Sequence, residues 1–338
     1  MRVAMLRQAG EVVIEEAPML APSAGEVLIE VAYAGVCGSD LHSFEGTHPF
    51  RQPPVVLGHE VAGTIAALGE GVTGLTVGQA VTVMPYTHCG VCAQCRLGRT
   101  NTCLNKVVPG LGGWQGTFAE YFVSRAEIVY PLDQIGLRRG VLAEPLAVGV
   151  HAARRGLVGP GTRALVLGGG TIGLFTALAA HLAGAESVAL TDLSPHNLAL
   201  ARVLGADDVY DASDAGLVPR VRSDYLDGFD VVFLASAAKA TVAQALALAR
   251  RGGRIVIIAL FAGAVPLVLS ALTVNELDLV GTQIYTDEDF RTALSYLAAA
   301  PHAHDGVITH ELPLEQAQEA LALMLRRDEP VVKVLLRP

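Results

Sequence analysis

Arg163-Ala164-Leu165-Val166-Leu167-Gly168-Gly169-Gly170-Thr171-Ile172-Gly173 opens as an apolar strand and closes in a glycine-rich turn. Leu174 to Leu182 then reads as a helix, and Ser187-Val188-Ala189-Leu190-Thr191 as a second strand ending at Asp192. The turn matches G-x-G-x-x-G at Gly168, Gly170 and Gly173. Alone that pattern is weak. Here it has a strand before it, a helix after it and an acid 19 positions past Gly173, near the spacing of about 20 that a dinucleotide site needs. The glycines permit the tight turn and close approach of a pyrophosphate at the helix N-terminus, around Thr171 and Ile172. Asp192 would accept hydrogen bonds from the adenosine ribose and repel a 2′-phosphate, which favours NAD over NADP.

The αβ alternation continues outward from this unit. Asp230 to Leu234, Gly253 to Ile258 and Leu277 to Gly281 read as strands; Asn197 to Leu204 and Thr241 to Arg250 read as helices. Alternation of this kind makes a doubly wound parallel sheet. The uncharged stretch Ala164 to Ala185 contains Gly169-x-x-x-Gly173, a pairing pattern of membrane helices, but three consecutive glycines early in the run fit a strand-to-helix turn better.

The chain before position 143 has a different texture. Val12 to Glu15, Val27 to Val31 and Val81 to Val83 are β-rich runs separated by Pro and Gly, and Val61 to Gly78 continues them. These runs imply a compact β-barrel-like domain. After Gly281, Glu288 to Leu297 and Leu314 to Arg326 read as helices, and Val331 to Leu336 as a strand that returns to the first domain.

Cys89, Cys92, Cys95 and Cys103 fall as C-x2-C-x2-C-x7-C. Four thiolates so close in sequence close a tetrahedral zinc shell with no open position, so this site is structural. A nucleic-acid zinc ribbon is the main rival, but only Arg96, Arg99 and Lys106 lie nearby. The remaining cysteine opens Cys37-Gly38-Ser39-Asp40-Leu41-His42, which a short loop separates from Gly58-His59-Glu60. A thiolate, a hydroxyl, two imidazoles and a carboxylate are the parts needed to hold a metal with an open position and to move a proton beside it. Asp40 reads as a helix cap, His48 and His88 as loop histidines, and Trp114 as packing or as a wall of the substrate cleft.

Composition sets the frame. The 338 residues suggest about two domains. Hydrophobic residues make up 51% and charged residues 17%, ample for real cores. A net charge of −9 argues against a nucleic-acid partner, which needs a basic surface. The segment from Met1 to Met5 shows no secretory pattern, so a cytoplasmic protein with reduced cysteines is expected, without a membrane anchor.

These residues resemble the zinc-containing medium-chain dehydrogenase/reductase family, the alcohol dehydrogenases, over essentially the whole chain. The resemblance rests on Gly35 to His42, Gly58-His59-Glu60, the four-cysteine lobe, Phe118-Ala119-Glu120-Tyr121, Glu144-Pro145-Leu146, the Gly168–Gly173 turn and Lys333-Val334. It implies a GroES-like catalytic domain at 1–143 and 286–338, with a structural zinc lobe at about 86–106, and a Rossmann NAD-binding domain at 144–285. It implies an active site in the cleft between them. Cys37 and His59 look like catalytic zinc ligands, and Glu60, Glu144 or water completes the shell. Glu144 in place of a cysteine, and Gly38 in place of a basic residue, look like the polyol and butanediol branch. The run Tyr285 to Phe290 looks most like the butanediol type.

The reaction that the resemblance implies is a zinc- and NAD-dependent oxidation of a secondary alcohol, a diol or polyol, to a ketone. In it Ser39 takes the alcohol proton and passes it through the nicotinamide ribose to His42. A threonine, amino-sugar or cyclitol substrate on the same scaffold is the enzyme alternative. An NAD-binding sensor without turnover is the alternative of another class, and the proton-relay residues argue against it. The family forms dimers or tetramers by joining Rossmann sheets edge to edge, and the apolar run Val265 to Leu269 offers such an edge.

Overall fold

The computed structural model describes residues 1–261, 263–299, 304–326 and 328–338. The chain divides into two compact units, Met1–Glu144 with Leu294–Pro338, and Pro145–Ala293.

The first unit is built on two sheets. Glu11–Glu16, Arg2–Gln8 and Val55–Val56 form the smaller one. The larger runs in the order Ile308–Pro313, Lys333–Arg337, Glu26–Gly35, Glu60–Leu68, Ala80–Val83, Val129–Pro131, and Tyr121–Arg125 also pairs with Glu26–Gly35. Val27, Leu28, Ile29 and Val31 are buried in one strand, and Val81, Thr82 and Val83 in another, so both faces of the sheet are covered there. The strand Lys333–Arg337 pairs antiparallel with Glu26–Gly35, placing Leu335 opposite Gly35. Residues near the C-terminus are thereby built into the sheet that carries Cys37.

The second unit holds six parallel strands in the order Asp208–Asp211, Ser187–Asp192, Arg163–Leu167, Phe229–Leu234, Ala249–Ile257, Asp278–Gly281. In chain order this is 3-2-1-4-5-6, the doubly wound arrangement whose ligand crevice lies where the order reverses. Leu165, Leu167, Val232, Leu234 and Ile255 are buried in its core. The fold is therefore a GroES-like β-rich domain with a Rossmann domain.

Two local readings change. Asp208–Asp211 is a strand that sequence reasoning missed; with only Val209 and Tyr210 apolar between acids, this edge strand carries no periodic signal. The stretch Val265 to Val268 is not a strand, and helix Leu269–Asn275 comes directly after it. Pro266 lacks the N–H a ladder needs, and the sheet edge is Asp278–Gly281 instead. The apolar run from Ala164 to Ala185 is divided between strand Arg163–Leu167 and helix Thr171–Leu182. Among the described residues no helix is long and apolar enough to cross a membrane.

Candidate active site

Strand register assembles the site. Glu26–Gly35 pairs antiparallel with Glu60–Leu68, and Gly35 lies opposite Glu60. Cys37 caps helix Gly38–Phe44 just beyond the end of the first strand, and His59 precedes the second. The result is one buried corner in which ligand atoms of Cys37, His59 and Glu60 all lie within 4.8 Å of one another. A side chain at position 35 would close it, since a Cβ there would stand 1.9 Å from Glu60 Oε2.

The electrostatics of this corner act on His59. Burial alone would lower the pKa of His59, but the Cys37 and Asp40 charges outweigh it and hold the imidazole well above its usual range. Three acidic groups, Cys37, Asp40 and Glu60, share the corner with the buried cations Arg51 and Lys333. Sulfur, nitrogen and oxygen donors together suit zinc.

Asp40 does more than cap. It sits at the third position of its helix, and Oδ2 accepts the Cys37 N–H at 3.0 Å. Its Oδ1 accepts from Gly58 N at 3.2 Å and Arg51 Nη1 at 3.4 Å. The same oxygen is 3.7 Å from His59 Nδ1. At that distance the contact is electrostatic and not a hydrogen bond, and Nδ1 has no hydrogen-bond partner among the described residues. Burial alone would raise the Asp40 carboxyl; His59 and Arg51 outweigh that and bring it down to about 2.

Two residues that sequence reasoning gave no role stand behind these groups. Lys333 is 2% exposed, and its Nζ donates to Glu60 Oε1 at 2.7 Å, Glu60 Oε2 at 2.8 Å and Val36 O at 3.0 Å. Burial would lower its pKa, but Glu60, Cys37 and Glu144 hold it raised. A lysine set among Val331, Val332, Val334, Leu335 and Leu336 was the available signal, because a strand apolar on both faces is a buried one. Arg51 is 7% exposed, and nothing in its local sequence marks it.

The other expected residues fall around this corner. Glu144 is buried in the first turn of helix Ala143–Arg155, and its charge reaches Lys333. Among the described residues it is not in the group formed by Cys37, His59 and Glu60. Ser39 Oγ accepts from Arg51 Nη1 at 3.3 Å. His42 lies one turn along the helix, half-buried, with Nδ1 3.4 Å from Thr47 Oγ1. Among the described residues no hydrogen bond joins Ser39 to His42, so a relay between them needs a bridging hydroxyl.

The four lobe cysteines are also together. Sγ–Sγ separations are 3.5 Å for Cys92–Cys95, 3.9 Å for Cys92–Cys103 and 3.5 Å for Cys89–Cys103. These are too long for disulfides, whose sulfurs lie about 2.05 Å apart, and they match the edge of a metal tetrahedron. Backbone N–H groups of Val91 and Cys92 pull Cys89 down to about 6. Burial and its neighbouring thiols push Cys95 up to about 12. Four sulfurs at these separations are the donor set of a structural zinc.

In the second unit the glycine turn is formed as its pattern requires. Gly168 has φ +107°, a left-handed backbone that favours glycine. A Cβ at Gly173 would stand 1.8 Å from Gly168 O, whereas one at Gly170 would meet nothing within 4 Å. Gly170 caps helix Thr171–Leu182, so open space lies at a helix N-terminus, where a pyrophosphate fits. Asp192 is held by Gly169 N at 2.6 Å, Ser194 N at 2.9 Å and Asn197 Nδ2 at 3.1 Å. Trp114 donates to Val123 O at 2.8 Å and stacks on Phe122. It also lines a cavity of about 420 Å³ with Thr87, Val107 and Arg125.

Residues 23–134 match the alcohol dehydrogenase GroES-like domain family, and residues 171–299 the zinc-binding dehydrogenase family. The chain is 32% identical to a sorbitol dehydrogenase of Bacillus subtilis over 345 aligned positions, covering 100% of this chain and 97% of that one. It is 34% identical to a 2-dehydro-3-deoxy-L-galactonate 5-dehydrogenase of Pseudoalteromonas atlantica, covering 92% and 91%. The solved structure of 2R,3R-butanediol dehydrogenase from Bacillus subtilis superposes with a TM-score of 0.90 at 28% identity, covering 100% and 99%.

Proposed function

This chain belongs to the zinc-type alcohol dehydrogenase family, and on that premise we propose that it interconverts a secondary alcohol of a diol or polyol and the corresponding ketone, with NAD as partner. The observation that carries the reading is the convergence of Cys37, His59 and Glu60 within 4.8 Å, with Ser39 on the adjoining helix. The three relatives act, by their names, on sorbitol, a sugar acid and a butanediol. Their common chemistry is a secondary carbinol beside another oxygenated carbon.

Cys37 and His59 would hold the catalytic zinc, with Glu60, Glu144 or water completing its shell. The four lobe cysteines would hold the structural zinc. Gly168, Gly170, Thr171, Ile172, Gly173 and Asp192 would hold NAD. When bound, zinc supplies a Lewis acid that stabilises negative charge on an alcohol oxygen, and NAD supplies the hydride acceptor. The chain's own residues do the rest. Asp40 orients His59, and Lys333 orients Glu60. Ser39 accepts the hydroxyl proton and gives up its own to a bridging hydroxyl, which the ribose of bound NAD would supply, and His42 receives the proton from that hydroxyl and delivers it to solvent.

In this reading the catalytic domain comprises 1–143 and 286–338, and the NAD domain 144–285. Five reduced cysteines, all committed to metals, suit the cytoplasm. The exposed edge strand Asp278–Gly281 suits a homodimer or homotetramer formed by sheet extension, because an unpaired strand edge invites a partner.

The test is NAD reduction over a panel of butanediols, sorbitol-like polyols, simple primary alcohols and threonine, together with Ser39→Ala. Preference for vicinal diols or polyols, and loss of turnover with NADH binding kept in Ser39→Ala, are the expected results. Turnover confined to threonine or primary alcohols sinks the substrate class. Full turnover in Ser39→Ala sinks the relay.

A further inference from the structure

We propose that Arg51 is a positioning residue of the proton relay, its Nη1 shared between Ser39 Oγ and Asp40 Oδ1 so that the Ser39 hydroxyl keeps one acceptor and one donor free. The inference rests on the relay reading above and adds to it the residue that keeps the proton path through Ser39 open.

The geometry is specific. Arg51 Nη1 lies 3.3 Å from Ser39 Oγ and 3.4 Å from Asp40 Oδ1. A serine hydroxyl has one proton and two lone pairs. A relay must take in one proton and send out another, so it needs one lone pair and the O–H. Arg51 occupies the second lone pair. It also occupies Asp40, an adjacent carboxylate that would otherwise compete for the Ser39 proton. With Arg51 in place, the proton arriving from the alcohol forms a new O–H bond on Ser39 Oγ. The original O–H bond breaks as its proton passes to the bridging hydroxyl that leads to His42, and the net charge on Ser39 is unchanged.

The surroundings hold Arg51 for this task. Its backbone N–H donates to His48 Nδ1 at 2.9 Å, as does Phe50 N at 3.1 Å, so the imidazole of His48 ties the turn that presents the guanidinium. Gly110 lies against the side chain, and a Cβ there would stand 3.3 Å from Arg51 Cδ. Nε is buried without a hydrogen-bond acceptor. A buried unpaired donor is a cost to folding. A guanidinium that only filled space or balanced Asp40 would give way to a side chain without that cost. Its Nη1 contacts are what distinguish it.

The experiment is a double-mutant cycle on the zinc-loaded protein with Arg51→Met, Ser39→Ala and both together. Arg51→Met is expected to lower kcat roughly 10- to 100-fold, the scale of a proton-transfer contribution. KM and NADH affinity from fluorescence titration stay at parental values when free zinc is buffered at a saturating level, which removes any effect of a weakened Asp40. The solvent deuterium isotope effect on kcat rises, because proton transfer becomes limiting. The double variant is no slower than Ser39→Ala alone. Arg51→Lys keeps the charge beside Asp40 and one donor, and recovers part of kcat. If Arg51→Met does not fold, the cycle is run with Arg51→Lys.

Losses that multiply in the double variant, or loss of NADH binding along with kcat at saturating zinc, make Arg51 structural and overturn the proposal. So does an Arg51→Met enzyme with parental kcat. In those outcomes the relay itself stands if Ser39→Ala is inactive. Full turnover in Ser39→Ala removes the relay and the proposal together.

Discussion

Lys333 Nζ lies 2.7 and 2.8 Å from the two carboxylate oxygens of Glu60, and both side chains are buried. Removing one partner of such a pair strands the other charge, which typically costs 3–5 kcal/mol, about the same in either direction. Lys333→Met should therefore lose roughly 3–5 kcal/mol of stability in urea unfolding. Lys333→Met combined with Glu60→Gln should lose clearly less than the two single losses added. Additive losses would mean that the two groups are not coupled.

Asp40 predicts both a metal effect and a pH effect. Asp40→Asn keeps the shape but weakens the support of His59, so zinc affinity by chelator competition should fall about 10- to 100-fold. The Asp40 carboxyl, at about 2 against the ordinary 3.8, binds its proton less readily in the folded chain than in the unfolded one. It thus contributes stability that is fully present above about pH 4 and lost as pH falls toward 2. Acid-unfolding curves of Asp40→Asn should be shallower across that window. An unchanged slope would remove Asp40 from the account.

Two glycines of one turn should behave differently. At Gly173 an added Cβ would collide with Gly168 O at 1.8 Å, whereas at Gly170 it would meet no protein atom within 4 Å. Gly173→Ala should lower the melting temperature. Gly170→Ala should melt like the parent and lose affinity for NADH in fluorescence titration. Equal melting losses in both variants would contradict the ligand role of Gly170.

The cysteine lobe should fail locally. Helix Ala93–Arg96 has no buried residue and the lobe little apolar core, so four sulfurs around an ion must replace packing. Cys95→Ser should retain one zinc per chain and become sensitive to limited proteolysis within about residues 86–106, while the glycine turn still binds NADH. Two zincs retained per chain would place the second ion elsewhere.

Legibility tracks distance along the chain. The four cysteines span 89 to 103 and the glycine turn 168 to 173. Within such short spans backbone geometry leaves few arrangements, so the spacing of Cys92 from Cys95, or of Gly170 from Gly173, already implies a metal shell or a phosphate turn. Continuous apolar runs on either side of the glycine turn did the same for Arg163–Leu167 and the helix that follows, Thr171–Leu182. The strand Asp208–Asp211 was silent because parallel pairing at a sheet edge demands little of its own residues.

Residues by themselves determined the two-domain α/β chemistry: a closed sulfur site, a mixed-donor site and a dinucleotide turn, each a local pattern with few physical solutions. Tertiary structure alone decided which charges face each other. Lys333 meets Glu60 across 273 positions, and Arg51 meets Ser39 across 12. Only strand register and a tied loop place those groups within hydrogen-bonding reach, and in a buried corner such polar contacts count for more than they would in water.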